Sequence, residues 1–469
     1  MVTIYFDKQV FSHLRNAKQE KHVRLLEKIL SHKSEFIFLY SNALLFDLQQ
    51  DKTDTKYAEL EFIHSIVDNN YLTFDQCNEN DIPNIMVFNE SPCIAFDKTI
   101  KLGDFSWLED FDFSKLTKEQ NNCIRNVVDI ITKEQAGLLS PDWLINREPI
   151  NDESPIVDKH EVISVIKFIA SVFYGNKESY KLLRDNAINA YMQLKSLTKQ
   201  PYNTNIQQES SPLDLSFVET LRNSLVQTGL SLSNKAIIYN TAYMLLDLTG
   251  ECKESSNKVR YRNLQIDSIH SFFGSFCDCI VSDDEGLRDK SRILYNLFGI
   301  ETKIYSIDEF IEAFDKSIEN NRKTINEYFR QIIYDYKSKQ IIRTHEGDQY
   351  TVTHLRTSNQ HFGYFTKMAE FRNEDDTVLM LYKGKDLNQM LLVKEVEILV
   401  NRITRNFNET GASFPLFNHD AELPLIQSDN WERILIIDDV DFCLTKFKEC
   451  PVLCMTIRLK QPVLLEHSA

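Results

Sequence analysis

Two separated stretches of this chain share one rhythm, in which a short apolar run gives way to a segment whose apolar residues recur at helical spacing. In the first, "VTIYF" (2–6) ends at Asp7, and residues 15–31 then carry Val23, Leu26, Ile29 and Leu30 as one helix. "EFIFLY" (35–40) is a second strand, Ser41 is placed to cap a helix holding Leu44, Leu45 and Asp47, and another helix covers about 55–68. In the second stretch the order is helix 264–276, strand 279–282, helix 285–298, strand "TKIYS" (302–306) and helix 307–319. Short strands alternating with helices specify a parallel sheet covered by helices. The expected class is α/β, with residues 1–68 and 262–320 forming two halves of one domain.

Residues 69–261 read as a mainly helical insertion. Strand-like pieces ("YLTF", "NIMVF", "CIAF") come first, then helices such as "VISVIKFIASVFYG" and "SYKLLRDNAINAYMQLKSL", and further helices near 214–229 and 235–249. Residues 321–340 continue as a basic, aromatic-bearing helix that opens a C-terminal α+β domain, 321–469. A chain of 469 residues is long enough for two or three such units.

Lys and Arg number 53 against 69 Asp and Glu, so the net charge of −16 repels polyanions and a nucleic-acid partner needs a local basic patch. No run reaches the roughly 18 apolar residues of a membrane span, and "MVTIYFDKQVF" lacks the basic and long apolar regions of a signal peptide. The expectation is a cytoplasmic protein with no membrane partner. The nine cysteines read as buried thiols, because Cys277-x-Cys279 and Cys450-x-x-x-Cys454 lack the second pair of ligands that a structural zinc site takes.

In open parallel sheets, ligands bind at the carboxyl ends of the strands. Asp7 ends the first strand and Asp283-Asp284 end another; Asp267 begins the helix before it, and Asp47 lies on the helix after the second strand. Carboxylates gathered at one edge repel each other unless divalent cations neutralise them, which points to Mg²⁺ or Mn²⁺. Such ions activate water and stabilise both oxygens of an in-line displacement at phosphorus, so phosphodiester hydrolysis is the expected reaction.

"TIYFD", an acid on an early helix, "IDSIHSFFGSFCDCIVSDDEGL" and "ETKIYSIDEF" together resemble PIN-domain nucleases over about a third of the chain. PIN domains are usually compact, so the long insertion is a departure. The resemblance implies catalytic roles for Asp7, Asp47, Asp267 and Asp284, with Ser282 in support at the family's Thr/Ser position. The metal ligands expected at this edge are Asp7, Asp267, Asp283 and Asp284, with Asp284 favoured for the metal and Asp283 read as a cap or supporting acid, and the resemblance implies single-stranded RNA as substrate. Glu59 and Glu61 compete with Asp47 as the second acid. His270, one turn after Asp267, is a supporting residue; Arg288 and Lys290 are placed to hold substrate phosphates.

Each residue also has a plainer reading. Asp283 or Asp284 can cap helix 285–298, Asp267 can cap its own helix, and His270 can be a packed core histidine. Arg288 and Lys290 can be solvated helix charges, and Tyr328, Phe329, Tyr334 and Tyr336 can be core positions rather than platforms for bases. The competing function is a catalytically inactive PIN-like interaction or sensing module. Its insertion or C-terminal domain would bind a regulatory protein or a second copy of the chain; in a further reading, these regions restrain a toxic nuclease, as in a toxin–antitoxin or anti-phage effector. "RILIIDDVDF" (433–442) looks like the start of a receiver domain, but only 27 residues follow Phe442, too few for that fold, so Asp438-Asp439 read as a strand-end turn. No P-loop, G-x-S-x-G or H-E-x-x-H string occurs.

Overall fold

A computed structural model describes residues 2–74, 85–99, 215–227, 234–252, 260–347, 349–373, 376–383, 389–409, 413–437, 440–447 and 450–459, with short helical pieces within 180–192. The expected helix "VISVIKFIASVFYG" and the pair Asp438-Asp439 lie outside the described residues.

The first sheet has six strands: β1 (Thr3–Phe6), β2 (Ile37–Ser41), β3 (Asn70–Phe74), β4 (Ile85–Asn89), β5 (Cys279–Val281) and β6 (Lys303–Tyr305). Their order is β4-β3-β2-β1-β5-β6, and every pair is parallel except β3 with the edge strand β4. β1 therefore lies between β2 and β5, with Ile4 opposite Cys279, Tyr5 opposite Ile280 and Phe6 opposite Val281. The two distant stretches do build one sheet. The sheet also takes in β3 and β4, which belong to the segment expected to start the insertion.

Strand alternation decides the two faces. Ile4, Phe6, Phe38, Cys279 and Val281 face one core with Phe310 and Phe314. Tyr5, Leu39 and Ile280 face the other with Tyr239, Tyr243, Phe272 and Phe273. The first face is covered by α1 (Lys8–Asn16), α2 (Glu20–Ser31), α4 (Thr55–Val67) and α10 (Ile307–Asn321); α3 (Asn42–Leu48) joins β2 to α4, and α5 (Pro92–Lys98) packs on α3 and α4. The second face meets α6 (Leu215–Gln227), α7 (Lys235–Leu248), α8 (Tyr261–Gly274) and α9 (Glu285–Phe298).

Two local expectations change. The single helix over 15–31 is two helices, broken at Ala17, which adopts the left-handed conformation (φ 46°) and donates its N–H to His13 O. "CIAF" is helical rather than extended: Ser91 Oγ caps α5 and Pro92 sits in its first turn, where the missing N–H costs nothing.

Gly274 ends α8 directly against the central strand β5. A Cβ there would lie 2.6 Å from Ile280 Cδ1 and 3.0 Å from its Cβ. Overpacking of this kind costs about 1–3 kcal/mol, so Gly274→Ala should lower the denaturation midpoint without changing the denaturant m-value.

The second sheet is antiparallel, in the order β11-β12-β13-β10-β9-β8-β7. Its strands are β7 (Ile341–Glu346), β8 (Thr351–His361), β9 (Phe365–Arg372), β10 (Thr377–Tyr382), β11 (Asn430–Ile437), β12 (Val440–Phe447) and β13 (Cys450–Leu459). It packs with α11 (Ile325–Ser338), α12 (Gln389–Asn408) and α13 (His419–Gln427). "RILIIDDVDF" thus falls on two antiparallel neighbours, unlike the parallel sheet of a receiver domain.

α11 begins with a capping box at Thr324 and Glu327 and lies on β8. Its aromatic residues are mostly spent on packing: Tyr328 stacks on Phe362 at 4.5 Å, Phe329 meets Phe442 at 5.2 Å, and Tyr336 donates to Glu370 Oε1. Tyr334 is exposed.

A buried charge cluster joins the two sheets. Lys383 Nζ lies 2.7 Å from Asp278 Oδ1 and 2.8 Å from Glu395 Oε1, while Asp278 Oδ2 accepts the N–H groups of Val2 and Thr3. Among the described residues, no helix is long and apolar enough to cross a membrane.

Candidate functional site

Because β1 and β5 are parallel neighbours, the residues that follow them emerge at the same edge of the sheet. Asp7 N donates to Val281 O, which fixes the end of β1 beside the end of β5. Asp7 stands at the N-cap position of α1 but makes no cap bond with its side chain. Its carboxylate turns instead toward the neighbouring strand, where Ser282 Oγ donates to Asp7 Oδ2 at 2.7 Å. The same Ser282 oxygen accepts the N–H of Asp284 at 3.0 Å.

Asp47 and His270 come from two helices that pack together, α3 and α8. His270 Nε2 lies 3.1 Å from Asp47 Oδ2 and 3.7 Å from Asp7 Oδ1. Among the described residues, Asp7, Asp47 and His270 form a group whose ligand atoms all lie within 4.8 Å of one another. Asp7 and His270 are buried, whereas Asp47 is partly exposed and forms the side open to solvent. Behind the imidazole, His270 Nδ1 is 2.8 Å from the Tyr5 hydroxyl, which is 2.6 Å from Ser41 Oγ. Ser41 in turn accepts Ala43 N–H as the cap of α3.

The other acids divide differently from the sequence-based expectation. Asp284 caps α9, its Oδ1 accepting Leu287 N–H at 3.0 Å, and remains near enough to Asp7 to raise that group's pKa. Asp283 is exposed and turns away, its Oδ1 accepting Ile307 N–H at the start of α10, so it caps a helix rather than joining the metal set. Asp267 lies in the second turn of α8, whose N-cap position is Arg260; it is neither that helix's N-cap nor part of the Asp7, Asp47 and His270 group. His270, one turn further on, occupies the place expected for it. Of the three candidates for the second acid, Asp47 reaches Asp7. Glu59 is buried against α1, accepting from Ser12 Oγ, and Glu61 is exposed.

The two cations assigned to substrate are placed otherwise. Arg288 Nη1 donates to Ser282 O at 2.9 Å, which braces the turn after β5. Lys290 is fully buried with its ammonium 5.6 Å from the centre of the Tyr243 ring, on the face of α9 that packs against α7, so it is not available at the surface. Tyr5 carried no functional signal beyond its place on the α8 side of an alternating strand.

Burial raises the pKa of Asp7, the charges of Asp47 and Asp284 add to the effect, and the imidazole of His270 and the Ser282 hydroxyl oppose it. For His270, burial disfavours the cation, but the hydrogen bond to Asp47 and the charges of Asp7 and Asp47 outweigh it, so its pKa is raised. Both groups hold protons to higher pH than their free counterparts, and a metal has to displace those protons. Mn²⁺ affinity should rise with pH, about tenfold per unit for each proton released. Calorimetric titrations in buffers of different ionisation enthalpy count those protons; a pH-independent affinity would contradict the assignment.

The donor set fits a single divalent ion. Two carboxylates and one imidazole are within reach of a common centre, and the nitrogen donor suits Mn²⁺ better than Mg²⁺, which prefers oxygen alone. It differs from the all-carboxylate set expected from the sequence. No protein-family model, curated protein or solved structure matches the chain.

Proposed function

We propose that the protein is a PIN-like, divalent-metal-dependent endonuclease that hydrolyses phosphodiester bonds of single-stranded RNA. The observation that carries this reading is the convergence of Asp7, Asp47 and His270 at the carboxyl edge of a parallel sheet, with Asp284 close by. Mn²⁺ or Mg²⁺ held there would supply a water of lowered pKa and positive charge for the phosphoryl oxygens.

The chain's own residues divide the remaining work. Asp7, held by Ser282 Oγ, and His270, held by Tyr5, are the fixed ligands, and the partly exposed Asp47 closes the set on the solvent side. The Tyr5 hydroxyl selects the tautomer. When Tyr5 donates to Nδ1, the Nε2–H of His270 donates to Asp47; when Nδ1–H donates to Tyr5 and Tyr5 donates to Ser41, Nε2 presents its lone pair. The hydrogen-bond chain can therefore reset the imidazole for ligation without moving a heavy atom. Asp284, with one oxygen engaged by Leu287 N–H, keeps the other available to hold a water or a second cation.

The test is cleavage of labelled single-stranded RNA and DNA with Mn²⁺ or Mg²⁺, wild type against Asp7→Asn and Asp47→Asn. Metal-dependent RNA cleavage lost in both variants supports the reading, and cleavage that persists in both sinks the site. One observation favours the inactive interaction module instead: His270 already bridges both carboxylates, while Lys290 and most aromatic residues of α11 are committed to the core. Absence of cleavage with either metal, together with no metal binding by calorimetry, would select that module.

A further inference from the structure

The opposite edge of the first sheet carries a second concave feature. A cleft of about 540 Å³ opens where β2 and β3 begin, bounded by the end of α10 and by one face of α12. Its size falls within the range of small-molecule sites. The five-residue strand β2 separates it from Ser41 at the acidic cluster, a distance of about 13 Å at roughly 3.3 Å per residue step. The two sites are distinct.

The charges lining the cleft are unevenly matched. Glu35 pairs with His32, Asp68 with Lys33 and Glu397 with His419, while Glu409 is exposed. Arg322, Lys394, Arg402 and Arg405 also line it, and among the described residues none of these four has a carboxylate within ion-pair distance, although Asp68 and Glu397 lie near enough to Lys394, and Glu35 to Arg402, to favour their charged forms. Three of them share one face of α12, and Lys394 is positioned by Asn70. Five cations and four carboxylates line the cleft, a local excess of positive charge in a chain of net charge −16, and a cation-rich cleft marks a place for an anion.

Arg402 makes the case more specific. It is 6% exposed, donates to Phe362 O at 3.0 Å and to Glu35 O at 3.1 Å, and its Nε has no partner. Burial pushes its guanidinium down to about 10, Arg405 adds to the effect, and Tyr328 and Glu35 offset it only in part. Asn321 Oδ1 and Asn406 Nδ2, which also line the cleft, are buried without partners. Buried polar groups are normally satisfied, so three such atoms on residues lining one cavity leave hydrogen-bonding capacity there for a ligand or for water. The guanidinium is seated against Gly363, where a Cβ would come within 2.6 Å of Arg402 Nη1. That close approach, at φ +64°, is one that only glycine makes without strain.

We infer that this cleft binds a small phosphorylated molecule of nucleotide size, its phosphates held by Arg322, Lys394, Arg402 and Arg405 and its polar remainder by Asn321 and Asn406. Four cations call for an anion of more than one charge, and planar guanidinium groups match phosphate oxygens in pairs. The amides offer a donor and an acceptor to a base or sugar, and the volume exceeds what free phosphate would fill.

The experiment titrates the full chain, in EDTA to silence the acidic cluster, with ADP, GDP, CDP and UDP, using adenosine and citrate as controls, by calorimetry and thermal shift. At least one diphosphate should bind with micromolar affinity and raise Tm by several degrees, with adenosine and citrate at least tenfold weaker. Arg405→Ala and Lys394→Gln, both away from the packed core, should each weaken that binding about tenfold or more, and Asp7→Asn should leave it unchanged. Equal binding of adenosine or citrate overturns the assignment. So does no binding by any diphosphate at millimolar concentration, binding indifferent to both cleft substitutions, or binding lost with Asp7→Asn.

Discussion

Asp7→Asn should abolish metal-dependent cleavage, by about 10³-fold or more, and at the same time stabilise the metal-free protein. The first effect follows because asparagine keeps the shape of Asp7 but removes the anionic ligand facing His270 Nε2. The second follows from linkage. The folded pKa of Asp7 is raised above its usual value of 3.8, so its contribution to stability is present below that value and is lost as pH rises through the folded pKa. Above the folded pKa the ionised, buried carboxylate therefore costs stability that a neutral amide does not. Ser282 Oγ can still donate to the asparagine carbonyl, so the local geometry survives. A gain of about 1 kcal/mol at high pH that fades as pH falls toward 4, read from denaturant unfolding across that range, is the expected pattern. Loss of activity accompanied by loss of stability at pH 7 would mean that Asp7 serves the fold and not the chemistry.

Lys383→Met should cost about 3–5 kcal/mol, the largest stability effect expected of any single substitution discussed. The ammonium of Lys383 is buried between Asp278 and Glu395 and lies 4.7 Å from the centre of the Tyr364 ring. Burial would lower its pKa, but the two carboxylates outweigh burial and raise it, so the group is charged at neutral pH. Methionine fills similar volume yet leaves two carboxylates without their cation. Tyr364 still donates to Glu395, and the Val2 and Thr3 N–H groups still reach Asp278, but neither supplies positive charge. Adding Glu395→Leu should restore part of the loss, since a neutralised buried pair is often tolerated where a broken one is not. Chemical denaturation of the single and double variants measures the coupling. A loss below about 1 kcal/mol for Lys383→Met would show that water reaches the junction.

The parallel sheet was legible because β1, β2, β5 and β6 are apolar runs bounded by polar residues and helical periods. Other features depended on information that residue pattern does not hold. The break at Ala17 carries no glycine or proline, and an alanine in the left-handed conformation is imposed by the packing of α1 and α2 rather than announced. "CIAF" is too short for periodicity to separate strand from helix, although Ser91-Pro92 before it was a readable helix start. β3 and β4 were visible as strands, but nothing local said that they extend the first sheet.

At the site, the edge was readable and the pairing was not. Asp7, Ser282 and Asp284 follow strands and so had to emerge together once those strands paired. Asp283 and Asp284 are consecutive acids whose roles are set by two different helix starts, α9 for one and α10 for the other. Spacing from Asp267 to Asp284 could not reveal that Asp267 stands outside the cluster. The imidazole one turn along reaches it because α8 packs on α3.

The central position of β1 also sets an order of events in time. Asp7 is made well before its partners, since Ser282 follows 275 positions later, and His270 scarcely earlier. At about 5–20 residues per second, a translating ribosome takes tens of seconds to cover that interval. Throughout that delay β5 is missing from the side of β1 that it pairs with in the fold, and the acidic cluster cannot exist. Whatever chemistry the cluster performs is therefore silent in the nascent chain, and switches on only when the second half of the sheet arrives to complete it.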